Sequence, residues 1–178
     1  MIRKLRRCLV YLAAIGAVCF YIGRLLPGNW FRSDRFPFRC FPFEWGGRIY
    51  EKLGIRHWKD NVPDMSKILP KVMLPKRLSW GIQPERVALL IQETCIAEVV
   101  HIILFILGFG CVLLWGDGPG GWIIALVYNL LGNVPFILIQ RYNRPRLQRL
   151  MAAMIRQQDM RRRFHASFDT LLQYWRGA

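Results

Sequence analysis

The stretch that decides the fold runs from residue 94 to residue 140 and reads TCIAEVVHIILFILGFGCVLLW-GDGPGG-WIIALVYNLLGNVPFILIQ. Its two apolar runs, residues 94–115 and 121–140, are each close to the roughly 20 residues that a helix needs to cross about 30 Å of hydrocarbon. The residues between them, 116–121, are turn formers that allow only a tight connection. The stretch therefore predicts an antiparallel transmembrane helical hairpin.

A third apolar run, residues 8–26, follows a cluster of basic residues, namely Arg3, Lys4, Arg6 and Arg7. A charged start before an apolar run is also typical of a signal peptide. We favour an uncleaved N-terminal membrane segment, because Arg24 and Pro27 stand where the small residues of a cleavage site would be expected.

The rest of the chain alternates basic and apolar residues. Residues 27–92 mix Lys and Arg with aromatic rings, which is typical of a membrane–water interface, and prolines break them into short pieces. They predict short interfacial amphipathic helices and turns, with a small globular domain as the alternative. Residues 147–175 have helical periodicity and predict one or two amphipathic helices on the same surface. We therefore expect residues 1–178 to form a single membrane domain of an all-α integral membrane protein.

The charge distribution gives an orientation and excludes one class of partner. The net charge is +15 although 53% of the residues are hydrophobic, and apolar runs separate the basic blocks, so we expect anionic lipid headgroups and not nucleic acid as partners. Residues 27–92 contain 12 Lys and Arg, the chain from Arg141 onward contains nine, and the glycine turn contains none. Both blocks should face the cytoplasm. The four N-terminal charges conflict with a full first span, so residues 8–26 span the membrane, re-enter or lie flat.

Polar residues inside the predicted hairpin are costly in a membrane and are therefore functional candidates. Helical spacing puts Thr94, Glu98 and His101 on one face of the first segment. Folding the hairpin about residue 118 brings His101 close to Asn133 on the second segment. The catalytic candidates on the first segment are Glu93, Glu98 and His101. The substrate-binding candidates on the second are Asn129, Asn133, Gln140, Arg141, Tyr142, Asn143, Arg144 and Arg146.

These residue types suit general base catalysis. A carboxylate such as Glu98 can orient a histidine while His101 takes a hydroxyl proton, and Glu93, nearer the water, is a further catalytic candidate. The two asparagines suit contacts with a sugar or an oxyanion. The arginines, Arg141, Arg144 and Arg146, suit the phosphates of a donor or an anionic headgroup. The alternative is that Glu98 and His101 only hydrogen-bond across the helix pair.

The spacing Glu98-x-x-His101 also occurs in metal sites, where it needs a matching pair on another helix. The sequence contains no such pair. We expect no metal and no cofactor.

Several motifs resemble the glycosyl-4,4'-diaponeurosporenoate acyltransferase family. They are E-T-x-x-A-E-x-x-H at 93–101, N-V-P at 133–135, Q-R-Y-N-R-P-R-L at 140–147 and the aromatic-basic stretch FPFRCFPFEWGGRIYEKLGIRHWKD at 36–60. The resemblance covers roughly residues 30–150.

The resemblance implies a membrane O-acyltransferase that moves a fatty acyl group to a sugar hydroxyl of a glycosylated carotenoid or related glycolipid. An acyl thioester is the implied co-substrate and acyl donor, and membrane lipids and the glycosylated lipid acceptor are the implied partners, with a homo-oligomer or pathway partners as further expectations. A non-catalytic lipid-binding or accessory membrane subunit, or a transferase of another group, are the alternatives.

Overall fold

The computed structural model describes residues 1–62 and 82–177, and every regular element within them is helical. The helices are α1 (Ile2–Leu25), α2 (Ile55–Trp58), α3 (Pro84–Gly108), α4 (Gly110–Trp115), α5 (Gly120–Val127) and α6 (Val134–Gly177), with a π-helical turn at Tyr128–Asn133 and 3₁₀ helices at Gly28–Trp30, Pro42–Leu53 and Lys59–Asn61. Within these described residues, three continuous stretches are long and apolar enough to cross a membrane, namely Ile2–Leu25, Pro84–Trp115 and Gly120–Asp169. The predicted all-α membrane architecture is confirmed.

The hairpin consists of α3 and α4 on one side of the glycine turn and α5, the π-helical turn and α6 on the other. Positive φ angles of 75° at Gly116 and 89° at Gly118 reverse the chain, which only glycine does without strain. Next to the turn, a Cβ on Gly121 would lie 2.7 Å from the carbonyl oxygen of Cys111. The two arms therefore approach closely because a glycine stands at this contact.

Both arms are longer helices than the apolar runs predict. The first begins at Pro84, a residue type favoured in the first helical turn because the missing amide donor is not needed there. The second continues without a break through Pro145 to Gly177. The predicted separate tail helix is therefore the extension of the third apolar segment, and good helix formers on either side of Pro145 (Arg, Leu, Gln, Met and Ala) account for the continuity.

Helix α1 lies along the hairpin from one end to the other. Near its start Cys8 is buried against Cys111 and Ala125, and at its other end Arg24 forms an ion pair of 2.9 Å with Glu93. The basic N-terminus therefore lies at the glycine-turn end, away from the open end that the described part of the aromatic-basic region covers. A first helix that spans the membrane thus puts its four basic residues on the side opposite the cytoplasm, which is the conflict that the sequence indicates.

The described part of the aromatic-basic region packs against the open end of the hairpin. Phe31 and Phe38 are buried on Cys95 of α3, while Tyr50 and Ile55 are buried on Tyr142 of α6. The aromatic side chains thus share their core with the hairpin and cover its polar end. The placement of this region on lipid headgroups stays a prediction, and its residues 63–81 lie outside the described residues.

Candidate active site

Glu98 lies at the centre of a buried ion-pair cluster at the open end of the hairpin. Its side chain is 2% exposed, and each carboxylate oxygen accepts from a different arginine of α6. Arg141 Nη1 donates to Oε1 at 2.6 Å, and Arg144 Nη2 donates to Oε2. Because the two arginines are three residues apart on one helix, they present their guanidinium groups on the same face.

All three guanidinium nitrogens of Arg144 donate to protein acceptors. Its Nε donates to the hydroxyl oxygen of Thr94 at 2.9 Å and its Nη2 to the Thr94 carbonyl at 3.0 Å. Its Nη1 donates to the carbonyl of Phe38 at 2.8 Å, which ties the aromatic-basic region to the hairpin. The side chain, 2% exposed, therefore crosslinks three parts of the fold.

Glu44 completes the cluster and is the member that the sequence analysis does not predict. It accepts from Arg141 Nε at 2.6 Å and Nη2 at 2.9 Å, from the Phe41 amide at 2.6 Å and from the Tyr50 hydroxyl. Burial by itself would raise the pKa of this carboxyl, but the hydrogen bonds from Arg141, Tyr50 and the Phe41 amide outweigh it. They hold the pKa at about 2, below its usual 4.5, so Glu44 is ionised at neutral pH.

The signal that points to Glu44 is the pair of glycines that follows it. Trp45, Gly46 and Gly47 all have left-handed backbone conformations, which turn the 3₁₀ segment back towards α6. A Cβ on Gly47 would lie 3.2 Å from the carbonyl oxygen of Tyr142. In the sequence, the signal is a single acidic residue in a strongly basic stretch, followed after one residue by two glycines that allow a sharp turn.

The cluster is balanced in charge, because two carboxylates face two guanidinium groups. Arg141 and Arg144, predicted to hold donor phosphates, here hold Glu44 and Glu98. Arg146 differs: its side chain is 38% exposed, pairs with Glu51 at 2.7 Å and lies 3.9 Å over the ring of buried Tyr142. Of the three arginines, Arg146 has the most open surface for an external anion.

His101 lies deeper in the hairpin, one helical turn beyond Glu98. Its Nδ1 is 3.1 Å from Oδ1 of Asn133, within a turn of the register that the sequence predicts. The ring stacks on Phe136, with centroids 4.4 Å apart and planes 5° from parallel. The partner that fixes the position of Nδ1 is thus Asn133, whereas the expected orienting residue, Glu98, has both oxygens on arginines.

The two predicted sugar-binding asparagines are each 1% exposed and bond to protein groups. Asn133 Nδ2 donates to Asn129 Oδ1 at 2.9 Å, and Asn129 Nδ2 donates to the carbonyl of Phe105 at 3.0 Å. Both lie in the π-helical turn, a feature that is frequent at functional sites. Asn133 contacts His101 directly, and Asn129 is connected to it through Asn133.

The remaining candidates lie around this core. Glu93 pairs with Arg24 at a partly exposed position, Gln140 is buried, and Asn143 is half-buried. Among residues 1–62 and 82–177, no three His, Cys, Asp or Glu side chains form a group that could hold a metal ion.

A sequence model of the glycosyl-4,4'-diaponeurosporenoate acyltransferase family matches residues 27–153, which include every member of the cluster. The chain belongs to this family. The glycosyl-4,4'-diaponeurosporenoate acyltransferase of Staphylococcus aureus strain MRSA252 is 30% identical over 151 residues, covering 84% of this chain and 88% of that relative. The relatives from strains bovine RF122 / ET3-1 and USA300 are 30% and 29% identical over the same coverage. No solved structure matches the chain. Membership makes the protein an enzyme of the acyltransferase class.

Proposed function

We propose that this acyltransferase moves a fatty acyl group from an acyl thioester to a sugar hydroxyl of a glycosylated carotenoid or related glycolipid. The family membership supports the reaction class and the acceptor type. The single structural observation that carries the site is the half-buried His101, held at Nδ1 by Asn133 and flat against Phe136. A base held in one orientation is what proton removal from a hydroxyl needs.

In the proposed step, His101 takes the proton of the sugar hydroxyl as its oxygen attacks the thioester carbonyl carbon. A C–O bond forms, the C–S bond breaks, and the leaving thiolate takes the proton back from the imidazolium. The reaction needs no redox partner and no metal.

The ion-pair cluster holds the protein parts around this step in place. We assign Arg141 and Arg144 to fixing the aromatic-basic region on the hairpin through Glu44 and Glu98, because their donors already have protein acceptors. Arg146 is the arginine that we assign to the anionic groups of the donor. Glu93, Gln140, Tyr142 and Asn143 stay predictions as site residues.

We place the enzyme in the cell membrane, with the cluster and the donor at the cytoplasmic leaflet. The Lys and Arg distribution supports this orientation, because both large basic blocks lie outside the glycine turn and their described parts contact the open end of the hairpin. An acyl thioester made in the cytoplasm then reaches the site without crossing the membrane.

Mass spectrometry of lipid extracts tests the proposal in cells that make a glycosylated carotenoid acceptor and express this chain. The wild type should add the mass of one fatty acyl group to the acceptor. His101→Ala should abolish this product while protein level and membrane insertion stay normal. The matched controls, His57→Ala and His165→Ala, remove exposed histidines and should leave the product unchanged.

Two results would reject the proposal. No acylated product from a well-inserted wild type would reject this acceptor. A wild-type product yield from His101→Ala would reject His101 as the base.

A further inference from the structure

We propose that Asn129 and Asn133 are positioning residues that hold His101 in the tautomer with the proton on Nδ1, so that Nε2 is the atom that takes the hydroxyl proton. The inference rests on the proposed role of His101 as the base. It departs from the sequence-based expectation that these asparagines bind the acceptor.

The C-terminal end of helix α3 determines which way the side-chain amide of Asn129 is turned. The Phe109 amide donates to Ile106 at 3.3 Å, one residue short of the Phe105 carbonyl that a continuing helix would use. Asn129 Nδ2 lies 3.0 Å from that Phe105 oxygen. A carbonyl oxygen only accepts, so the group that Asn129 turns towards it must be the NH₂.

The orientation of the Asn129 amide in turn determines the orientation of the Asn133 amide. With its NH₂ on Phe105, Asn129 turns Oδ1 towards Asn133, and Asn133 must donate its own NH₂ over the 2.9 Å between them. Asn133 is left with Oδ1 facing His101 Nδ1 at 3.1 Å. An oxygen acceptor there requires a proton on Nδ1, and in the neutral ring Nε2 then carries the lone pair.

The surrounding packing keeps the amides from turning over. Asn129 and Asn133 are each 1% exposed, so an amide flipped against its neighbour would bury donors against donors and acceptors against acceptors. Gly108 allows the close approach, since a Cβ there would lie 3.1 Å from Asn129 Oδ1. Stacking on Phe136 fixes the plane of the His101 ring.

The hydrogen-bonded chain from the Phe105 carbonyl through Asn129 and Asn133 to His101, here called the relay, also suits the charged form of the base. When Nε2 takes the hydroxyl proton, both ring nitrogens carry protons, and Asn133 Oδ1 continues to accept from Nδ1. No amide has to rotate during proton transfer. A ring with its proton on Nε2 would instead place two acceptors, Nδ1 and the Asn133 oxygen, 3.1 Å apart.

Nitrogen NMR of the full chain in lipid nanodiscs reads the tautomer directly. The chain has three histidines, and comparison with His101→Gln identifies the signals of the ¹⁵N-labelled ring. At about pH 8.5, above the ordinary histidine pKa of about 6.5, long-range ¹H–¹⁵N correlations should show a protonated Nδ1 and an unprotonated Nε2. A proton on Nε2, or an equal mixture, would overturn the relay. The tautomer itself is read from the wild-type spectrum, and the His101→Gln variant serves only to assign the signals.

A variant pair links the tautomer to turnover. Asn129→Ala removes the anchor on Phe105, so Asn133 should sample both orientations and the Nδ1-protonated fraction should fall. The kcat for acyl transfer should fall about 10- to 100-fold with little change in KM. This loss is smaller than the about 10²–10⁴-fold that general base catalysis contributes, because the base is still present. The control Asn61→Ala, at an exposed asparagine, should change neither readout.

The outcomes separate this inference from the proposed function. An unchanged tautomer and kcat in a folded Asn129→Ala would overturn the positioning role. A protonated Nδ1 in the wild type together with full acylation by His101→Ala would reject His101 as the base, and with it the assignment of Nε2.

Discussion

Two neighbouring polar side chains on one helix face have different kinds of partners in this protein. Glu98 is a buried carboxylate whose charge is balanced by Arg141 and Arg144, whereas His101 bonds to a chain of neutral amides. A buried charge needs an opposite charge and hydrogen bonds, while a histidine base needs a fixed tautomer. The three-residue spacing between them thus separates an ion-pair anchor from the proposed catalytic ring.

Glu98→Gln tests the anchor. It should lower the free energy of unfolding by about 3–5 kcal/mol, because breaking a buried ion pair leaves uncompensated charge behind. Glu93→Gln is the matched control: its pair with Arg24 is partly exposed, and losing it should cost under about 1 kcal/mol. Thermal unfolding in detergent measures both. A Glu98→Gln protein with wild-type stability and no acylation would instead make Glu98 a catalytic partner of His101.

At the scale of elements, the 3₁₀ segment Pro42–Leu53 brings a distant carboxylate to the hairpin. Its left-handed kink turns Glu44 towards Arg141, and Gly47 then lies against the backbone of α6. Glycine at position 47 serves two needs, a φ of 89° and space for the Tyr142 carbonyl. This contact joins the described part of the aromatic-basic region to α6, next to the contacts of Tyr50 and Ile55 with Tyr142.

The variant pair Gly47→Ala and Gly54→Ala separates these two needs. Both positions have positive φ, so each alanine should cost about 1–2 kcal/mol of stability from the left-handed conformation alone. Gly54 has open space around its Cβ position, whereas Gly47 meets the Tyr142 oxygen. Gly47→Ala should therefore lose more stability and should also reduce acylation. Equal melting temperatures for the two variants would show that the close approach to α6 is unimportant.

At the scale of the molecule, the described helices present apolar faces around a small polar centre. Leu113 is 86% exposed and Leu131 73%, as expected for side chains that face lipid. Among the described residues, the two ends of the bundle differ: the aromatic-basic residues and the chain from Arg141 onward continue from the open end, whereas α1 begins at the glycine turn. This asymmetry predicts one orientation in the membrane.

Cysteine labelling with a membrane-impermeant maleimide tests that orientation in intact bacterial cells. Asp117→Cys in the glycine turn should be labelled from outside, while Asp159→Cys on α6 should be labelled only after permeabilisation, both measured above the wild-type background. Arg3→Cys should behave like Asp117→Cys, because α1 runs the length of the hairpin. Labelling of Asp159→Cys but not Asp117→Cys in intact cells would reverse the topology and remove the donor site from the cytoplasm.

The sequence by itself determined the apolar segments, the glycine turn and the approximate register that brings His101 near Asn133. These features depend on local length, periodicity and turn chemistry, which a sequence displays directly. Only the tertiary structure decided which partners the polar groups take. Glu44 meets Arg141 across 97 residues of chain, and Glu98 pairs with arginines while Asn133 takes His101. A sequence contains the donors and acceptors, but their pairing depends on which of them the packed backbone brings within about 3 Å of one another.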